Sequence, residues 1–325
     1  MKNLIRICAG VGLAAALGAP ASSALAQNYP NRMVRIVVPQ PPGGGVDAVG
    51  RILAPRLADA LGQSVIVENR SGAAGVIGSA SVTRAAPDGY TLLVNAAVLI
   101  MGPLVSKDVP YDPLTDLAPI TLTDTNPLLL VTMANSPANN VADLINMARA
   151  RPGQISIANP GSGSHMDFAQ AMFRLAAGIQ VLTPVYKGNS PVMVDVMSGQ
   201  VNATFTSIPT ALTLVQGGRL KILAVTSPTR TSLMPQIPTV AESGLPDFES
   251  VGWHGVWAPA KTPRDILGKL QTTIARVVRS PEVGQLFAAQ GLEPTSSTPE
   301  QFADYIRGEY TRYAKLIREA GLKFD

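Results

Sequence analysis

The sequence has few of the side chains on which catalytic and metal sites depend. One cysteine, Cys8, and two histidines, His165 and His254, occur among 325 residues. Cys8 lies in an N-terminal segment that we expect to be removed, so the mature chain has no thiol nucleophile, disulfide or cysteine-bound metal. The histidines form no H-E-x-x-H pair, and a zinc site would depend almost entirely on carboxylates. The sequence therefore predicts no metal and no cofactor.

Charge is also scarce, and the charged residues form no recognisable binding or catalytic motif. Charged residues make up 15% of the chain, with 26 Lys and Arg against 22 Asp and Glu. No basic run interleaves with aromatic residues, which argues against nucleic acid as a partner. There is no G-x-S-x-G motif, and Arg51 and Ile52 replace the Lys and Ser/Thr of a Walker A motif. We interpret the chain as non-enzymatic; an exported hydrolase that uses one of the two histidines is the competing hypothesis.

The N-terminus has the pattern of a secretory signal peptide. Lys2 and Arg6 precede an apolar run over residues 7–17, and Ala24 and Ala26 form an A-x-A cleavage site. We predict that residues 1–26 are removed by cleavage after Ala26 and that the protein is periplasmic. No later apolar run reaches the length of a membrane-spanning helix.

The rest of the chain alternates predicted strands and helices. Strands over residues 35–39, 64–68 and 90–94 flank helical patterns, and a second set of strands and helices extends from 141 to 226. This rhythm predicts an α/β protein with two lobes, each a mostly parallel sheet flanked by helices, and a ligand cleft between them. Lobe 1 comprises residues 27–125 plus 251–325, and lobe 2 comprises residues 126–250. Thr298 and Gln301 have capping-box spacing before the last helix.

Three glycine-containing loops follow strands and open helices, at residues 43–47, 159–164 and 187–191. Free backbone N–H groups at a helix N-terminus receive anions without a charged side chain. Each loop alone could be an ordinary βα turn, but three of them in an exported chain favour anion binding. Asp47 could instead complement its helix dipole, Asn95 could cap its own turn, and Lys187 could be a solvated lysine.

A series of motifs along the mature chain resembles one family. V-P-x-x-P-G-G-G-x-D stands at 38–47, P-D-G-Y-T-L-L at 87–93 and I-P-T-V-A-E at 237–242. Further motifs occupy residues 61–70, 110–113, 186–188, 199–201 and 223–227. In this order they resemble the tripartite tricarboxylate transporter substrate-binding family, also called the Bug family.

The resemblance implies a two-lobed type II periplasmic binding protein. We expect the protein to be a monomer. Such a protein closes on a small carboxylate and delivers it to membrane transporter subunits. Backbone N–H groups of residues 43–47 and of the second-lobe loops would hold the carboxylate, often through water. An alternative output is signalling to a membrane sensor kinase.

One helix departs from the family pattern. Similar members carry His and Glu after the 159–164 loop, where this chain has Asp167 and Ala171. An Asp167 carboxylate facing the pocket would disfavour a second ligand carboxylate and favour an amine or hydroxyl. The predicted ligand-binding residues are Gly43, Gly44, Gly45, Asp47, Asn95, Gly161, Ser162, Gly163, Ser164, Asp167, Lys187 and Gly188.

Overall fold

Strands and helices alternate through the first part of the chain. The computed structural model describes residues 29–161 and 163–320, without the side chain of Ala320. The predicted signal peptide, its cleavage site and Ser162 lie outside the described residues. The elements in order are β1 (Val34–Val38), α1 (Gly45–Leu61), β2 (Val65–Asn69), α2 (Val76–Thr83), β3 (Thr91–Ala96) and α3 (Val98–Val105).

The apolar positions of α1 fix how this helix packs. Val46, Val49, Leu53 and Leu57 recur at helical spacing and are at most 2% exposed. They pack against β1 and β3, which lie side by side in parallel in the sheet. Gly62, in the left-handed region at φ 66°, ends the helix. The N-terminus of α1 is thereby held at the carboxyl end of β1.

A single strand, β4 (Leu117–Met133), runs through both halves of the sheet. Its first part pairs with β8 (Val251–Pro259), and its last part pairs with β6 (Ala203–Ser207) and β7 (Leu220–Val225). The order along the sheet is β2-β1-β3-β8-β4-β6-β5, where β5 is Ile157–Ala158. The chain therefore passes between the two halves along β4 and returns into β8.

The second half repeats the alternation. It contains α4 (Val141–Ala150), β5 (Ile157–Ala158), α5 (His165–Ala177), α6 (Asn189–Ser198), β6, α7 (Ile208–Gln216) and β7. β5 and β6 are parallel. The predicted strand over 181–185 forms only isolated parallel bridges, Ser156 to Leu182 and Asn159 to Val185.

The C-terminal helices return to the first half. They are α8 (Arg264–Val278), α9 (Pro281–Ala289) and α10 (Pro299–Ala320), with β9 (Glu293–Pro294) between α9 and α10. The predicted capping box before α10 is confirmed: the Gln301 N–H donates to Thr298 Oγ1, and the Thr298 N–H donates to Gln301 Oε1. No helix within the described residues is long and apolar enough to cross a membrane.

The α/β architecture is confirmed, with one correction to the predicted strand directions. β1, β2 and β3 are parallel, but β4 and β8 run antiparallel to each other, and β8 is also antiparallel to β3. The sheet is therefore mixed rather than mostly parallel. The chain leaves the first half along β4 and returns to it along the neighbouring strand β8. These two strands therefore pair antiparallel.

Candidate functional site

A cavity of about 330 Å³ lies where the two halves of the sheet meet. The first half contributes Gln40, residues 45–46, residues 96–98 and Met101. The second half contributes residues 163–165 and Phe168, while Asn126, residues 252–254 and Tyr313 complete the wall. None of these lining residues is a lysine, arginine, aspartate or glutamate, so the polar groups here are backbone amides, hydroxyls, side-chain amides and imidazoles.

The loop before α1 directs a helix N-terminus at this cavity. Gly43 has φ 88°, Gly44 is extended, and α1 begins at Gly45 with no side-chain cap from the part of the chain that the structure describes. The Asp47 carboxylate accepts hydrogen bonds from the Gly43 N–H, Asn69 Nδ2 and Arg51 Nε, each at 2.8 Å. These hydrogen bonds to Asp47 fix the conformation of the loop. The first N–H groups of α1 have no hydrogen-bond partner within the helix.

The loop before α5 repeats this arrangement in the second half. Gly163 has φ 72°, Ser164 caps the helix, and α5 begins at His165. The Asp167 carboxylate accepts from the Gly163 N–H at 3.0 Å and from Asn159 Nδ2 at 2.8 Å. In both loops an aspartate four residues after a left-handed glycine binds that glycine and one asparagine, so two similar helix N-termini border one cavity.

The pKa values of the two aspartates are shifted in opposite directions. Burial by itself raises the pKa of the Asp47 carboxyl, but hydrogen bonds from Arg51, Gly43 and Asn69 outweigh it and hold this pKa below its ordinary value. Burial raises the pKa of the Asp167 carboxyl, and Gly163 and Arg174 offset only part of that rise. Asp47 has Arg51 one turn later on its helix, whereas Asp167 has Ala171.

The structure places Asp167 outside the lining of the cavity, at 8% exposure. Its oxygens are engaged by the loop that it anchors. The sequence-based hypothesis that Asp167 repels a second ligand carboxylate therefore lacks the direct contact it requires.

Three of the predicted site residues, Gly45, Gly163 and Ser164, line the cavity. Gly43 and Gly44 precede Gly45 in the first loop. Asn95 lies just behind the wall, where its amide donates to Ser79 Oγ and its Oδ1 accepts from the Ala96 N–H.

The remaining predicted residues belong to loops at the edge of the second half. The Gly161 N–H donates to Asn159 Oδ1, and the Gly188 N–H donates to the Pro160 carbonyl. These bonds hold the loops around residues 160 and 188 together. Lys187 is exposed and does not line the cavity.

His254 reaches the cavity from β8. Its Nδ1 lies 2.6 Å from Asp124 Oδ2. A methyl group on Gly45 would lie 3.6 Å from His254 Nε2, so this nitrogen faces the start of α1. The contact depends on the register of β4 with β8, for which the sequence carries no signal.

His165 lies across the crossing from His254. Its Nε2 is 3.3 Å from Ser250 Oγ, and burial lowers the pKa of His165 to about 4. At neutral pH the His165 ring is therefore uncharged. Trp253 packs edge-on against Phe302 and Tyr305, as expected of a core tryptophan, and it also closes one wall of the cavity.

Comparison with known proteins identifies the family. A sequence profile of the tripartite tricarboxylate transporter family receptor matches residues 49–322. The chain belongs to this family. It is an α/β solute-binding protein of a periplasmic family and not an enzyme. The resemblance found in the sequence motifs is thereby confirmed.

Individual relatives match over nearly the whole chain. Protein BugT of Bordetella pertussis is 37% identical over 323 residues, covering 99% of each chain. The solved structure of R. palustris Rpa4515 with adipate is 32% identical with a TM-score of 0.76, covering 91% of this chain and 99% of that one. MatC from Rhodopseudomonas palustris with bound malate is 26% identical with a TM-score of 0.71, covering 89% of this chain and 100% of that one.

Proposed function

We propose that this family receptor captures a small organic acid in the cavity between its two lobes and passes it to the membrane subunits of a tripartite transporter. The observation that carries the proposal is the pair of helix N-termini, at Gly45 and His165, that border one cavity. At each one, an aspartate carboxylate accepts a hydrogen bond from the N–H of a left-handed glycine and so fixes the loop conformation. We call this hydrogen-bonded pair an aspartate clasp. The relatives with adipate and malate support a carboxylate as the ligand.

The charge of the cavity favours an anion held by backbone groups. Partial positive charge and unpaired N–H groups at a helix N-terminus attract carboxylates. Gly43, Gly44 and Gly45 would supply N–H groups from one loop, and Gly163 and Ser164 from the other. Asp47 and Asp167 would hold these loops in place without touching the acid, and Asn95 would support the cavity wall at Ala96.

Closure of the lobes would complete the site. We propose that lobe 1 comprises residues 27–125 plus 251–325 and lobe 2 residues 126–250. The strand pairing supports this division, because β4 pairs with β8 as far as Pro127 and with β6 from Leu128 onward. On closure, Gly161, Lys187 and Gly188 would approach the acid from the second lobe.

A thermal-shift screen tests this function. The mature chain, unfolded and refolded to remove retained ligand, is heated with adipate, malate, citrate, benzoate and neutral analogues such as adipamide. Binding of an acid stabilises the folded state by RT ln(1 + [L]/Kd), about 2.7 kcal/mol at a concentration of 100 Kd. We expect a concentration-dependent rise in Tm with at least one acid and none with adipamide. Stabilisation by no acid, or equal stabilisation by adipamide, would contradict the proposal.

The cellular part of the proposal covers export and output. We propose cleavage after Ala26, a periplasmic monomer, and delivery to the transporter rather than to a sensor kinase. The mass of the periplasmic product and its size on gel filtration test the first two points. Loss of acid uptake on gene deletion, with induction of target genes intact, would support delivery; the reverse result would support the sensor kinase.

A further inference from the structure

One of the two imidazole side chains that line the cavity is paired with a buried carboxylate. His254 on β8 and Asp124 on β4 are register partners, 5% and 0% exposed. Nδ1 lies 2.6 Å from one Asp124 oxygen and 2.9 Å from the other. An ionised carboxylate only accepts hydrogen bonds, so Nδ1 carries the hydrogen and the ring orientation is fixed.

The second nitrogen of this ring is left for a ligand. His254 Nε2 has no hydrogen-bond partner among the residues that the structure describes, and it faces the N-terminus of α1 at Gly45. Both His254 and Gly45 line the cavity. One anion could therefore contact Nε2 and the first N–H groups of α1 together.

The charged partner of His254 is Asp124, because the other neighbouring groups named here are uncharged at neutral pH. Asn126 on β4 is neutral, His165 on α5 is uncharged at neutral pH, and burial raises the pKa of Tyr313 on α10. Among the described residues, the one ion pair of Asp124 is with His254. A buried carboxylate with one available cation is the counter-charge that an imidazolium in this wall requires.

We propose that Asp124 and His254 form the charged part of the ligand site, and that the acid binds as a chain of Asp124 carboxylate, His254 imidazolium and ligand carboxylate. The proposal rests on the proposed function and deepens it, because it names a side chain that selects anionic oxygen. Binding of the acid favours the ring that carries a hydrogen on Nε2, because that N–H donates to the ligand carboxylate. His254 is thus a specificity-determining residue, and Asp124 is a positioning residue that acts through it.

The test measures acid affinity against pH. The probe is whichever of adipate, malate or benzoate gives the largest Tm shift in the screen. Titration calorimetry runs from pH 6 to 8.5, where these three acids are largely ionised. For the wild type we expect affinity to fall as pH rises, by up to about ten-fold per pH unit for one coupled proton. Two buffers of different ionisation enthalpy should show proton uptake on binding.

Three variants separate recognition from structure. His254→Gln should bind at least about ten-fold more weakly at pH 6 and show no fall in affinity with pH, since it lacks the charged donor. Asp124→Asn, which does not reach the cavity, should move the fall in affinity to lower pH. His165→Gln is the matched control: its affinity is free to change, but its pH dependence should stay that of the wild type.

Two outcomes would overturn the inference while leaving the proposed function standing. One is wild-type affinity that is constant from pH 6 to 8.5 with no proton uptake. The other is His254→Gln retaining the wild-type pH dependence. Binding of none of the acids by the wild type would instead overturn the proposed function, and this inference with it.

Discussion

Two aspartates perform the same structural task on opposite sides of the cavity. Asp47 and Asp167 each accept a hydrogen bond from a glycine N–H four residues earlier and another from an asparagine amide. The glycine can take the left-handed conformation at little cost, and the aspartate fixes it. The two loops are thereby set before any ligand arrives, which reduces the entropy lost on binding.

Removal of one clasp should weaken both the loop and the site. Asp47→Ala removes one hydrogen-bond acceptor from the Gly43 N–H, from the Asn69 amide and from Arg51. Loss of hydrogen bonds to a buried charge should lower the free energy of unfolding by about 1.5–3 kcal/mol and weaken acid binding. Urea denaturation and calorimetry measure the two effects. Asp59→Ala, at an exposed position on the same helix, is the control, and unchanged acid affinity in Asp47→Ala would show that the clasp is not needed for binding.

His165 should make the protein less stable at acidic pH. Its pKa is about 4 in the folded protein, below the ordinary value near 6.5. Between these values the unfolded chain binds the proton and the folded chain does not, so stability falls as pH drops from about 6.5 toward 4. The difference should reach about 2 kcal/mol at pH 5 and vanish above pH 7.

Urea denaturation of the wild type and His165→Gln at pH 5, 6 and 7.5 measures this contribution. The loss of stability from pH 7.5 to pH 5 should be smaller in His165→Gln by about that amount. Equal losses in the two proteins would contradict it.

At this scale the sequence predicted the loops better than the side chains between them. A glycine run after a strand indicates a helix N-terminus from local residues alone, so residues 43–45 and 163–164 could be proposed directly. The role of Asp47 as an anchor depends on Asn69, which is distant in sequence but adjacent in the sheet. His254 meets Asp124 only through the pairing of β4 with β8.

Among the elements, β4 and β8 decide how the two halves are joined. Their ladder has irregularities between Pro119 and Thr121 and between Leu122 and Asp124. Each irregularity disrupts the ladder locally and increases the strand twist. The second one directly precedes Asp124, so the Asp124–His254 pair lies where the ladder is locally distorted.

Gly252, on β8, leaves no room for a side chain at the crossing. A methyl group there would lie 1.8 Å from Asn126 Oδ1 and 2.8 Å from His165 Nδ1. Gly252→Ala should therefore displace both cavity residues, lower the free energy of unfolding by about 1–3 kcal/mol and weaken acid binding. Gly268→Ala on α8, where the added methyl group meets no other described residue within 4 Å, should instead stabilise the protein by about 0.5–1 kcal/mol. Denaturant unfolding of the two variants compares their free energies of unfolding. Equal stability of the two would contradict the prediction.

Sequence patterns predicted most elements but not the mixed direction of the sheet. Periodicity identifies strands and helices because it reflects which face is buried. The direction in which strands pair depends on where the chain re-enters the sheet, and that information is carried by contacts between residues far apart. The segment 181–185 looks like a strand locally but forms only single bridges, with Ser156 and Asn159.

On the scale of the whole molecule, closure of the lobes should be observable with fluorescent labels. The sequence outside the predicted signal peptide contains no cysteine. Ile77→Cys on α2 and Val194→Cys on α6, both 58% exposed, would therefore place one dye on each half. We expect energy transfer between the dyes to change when a stabilising acid is added.

A second labelled pair within one half provides the comparison. Ile77→Cys with Ile66→Cys, also exposed, should give constant energy transfer. An acid that stabilises the protein without changing the signal of the first pair would mean that binding does not require closure.

The pairing of Pro127 with Val251 has an architectural consequence. The chain leaves the first half and returns to it at two residues that face each other across one strand ladder. The second half is thus an insertion into a smaller protein whose own sheet is continuous without it. Joining β4 to β8 by a short turn would form a hairpin in place of the insertion. The remaining fold would keep the helix N-terminus of α1 and lose that of α5 on the other side of the cavity.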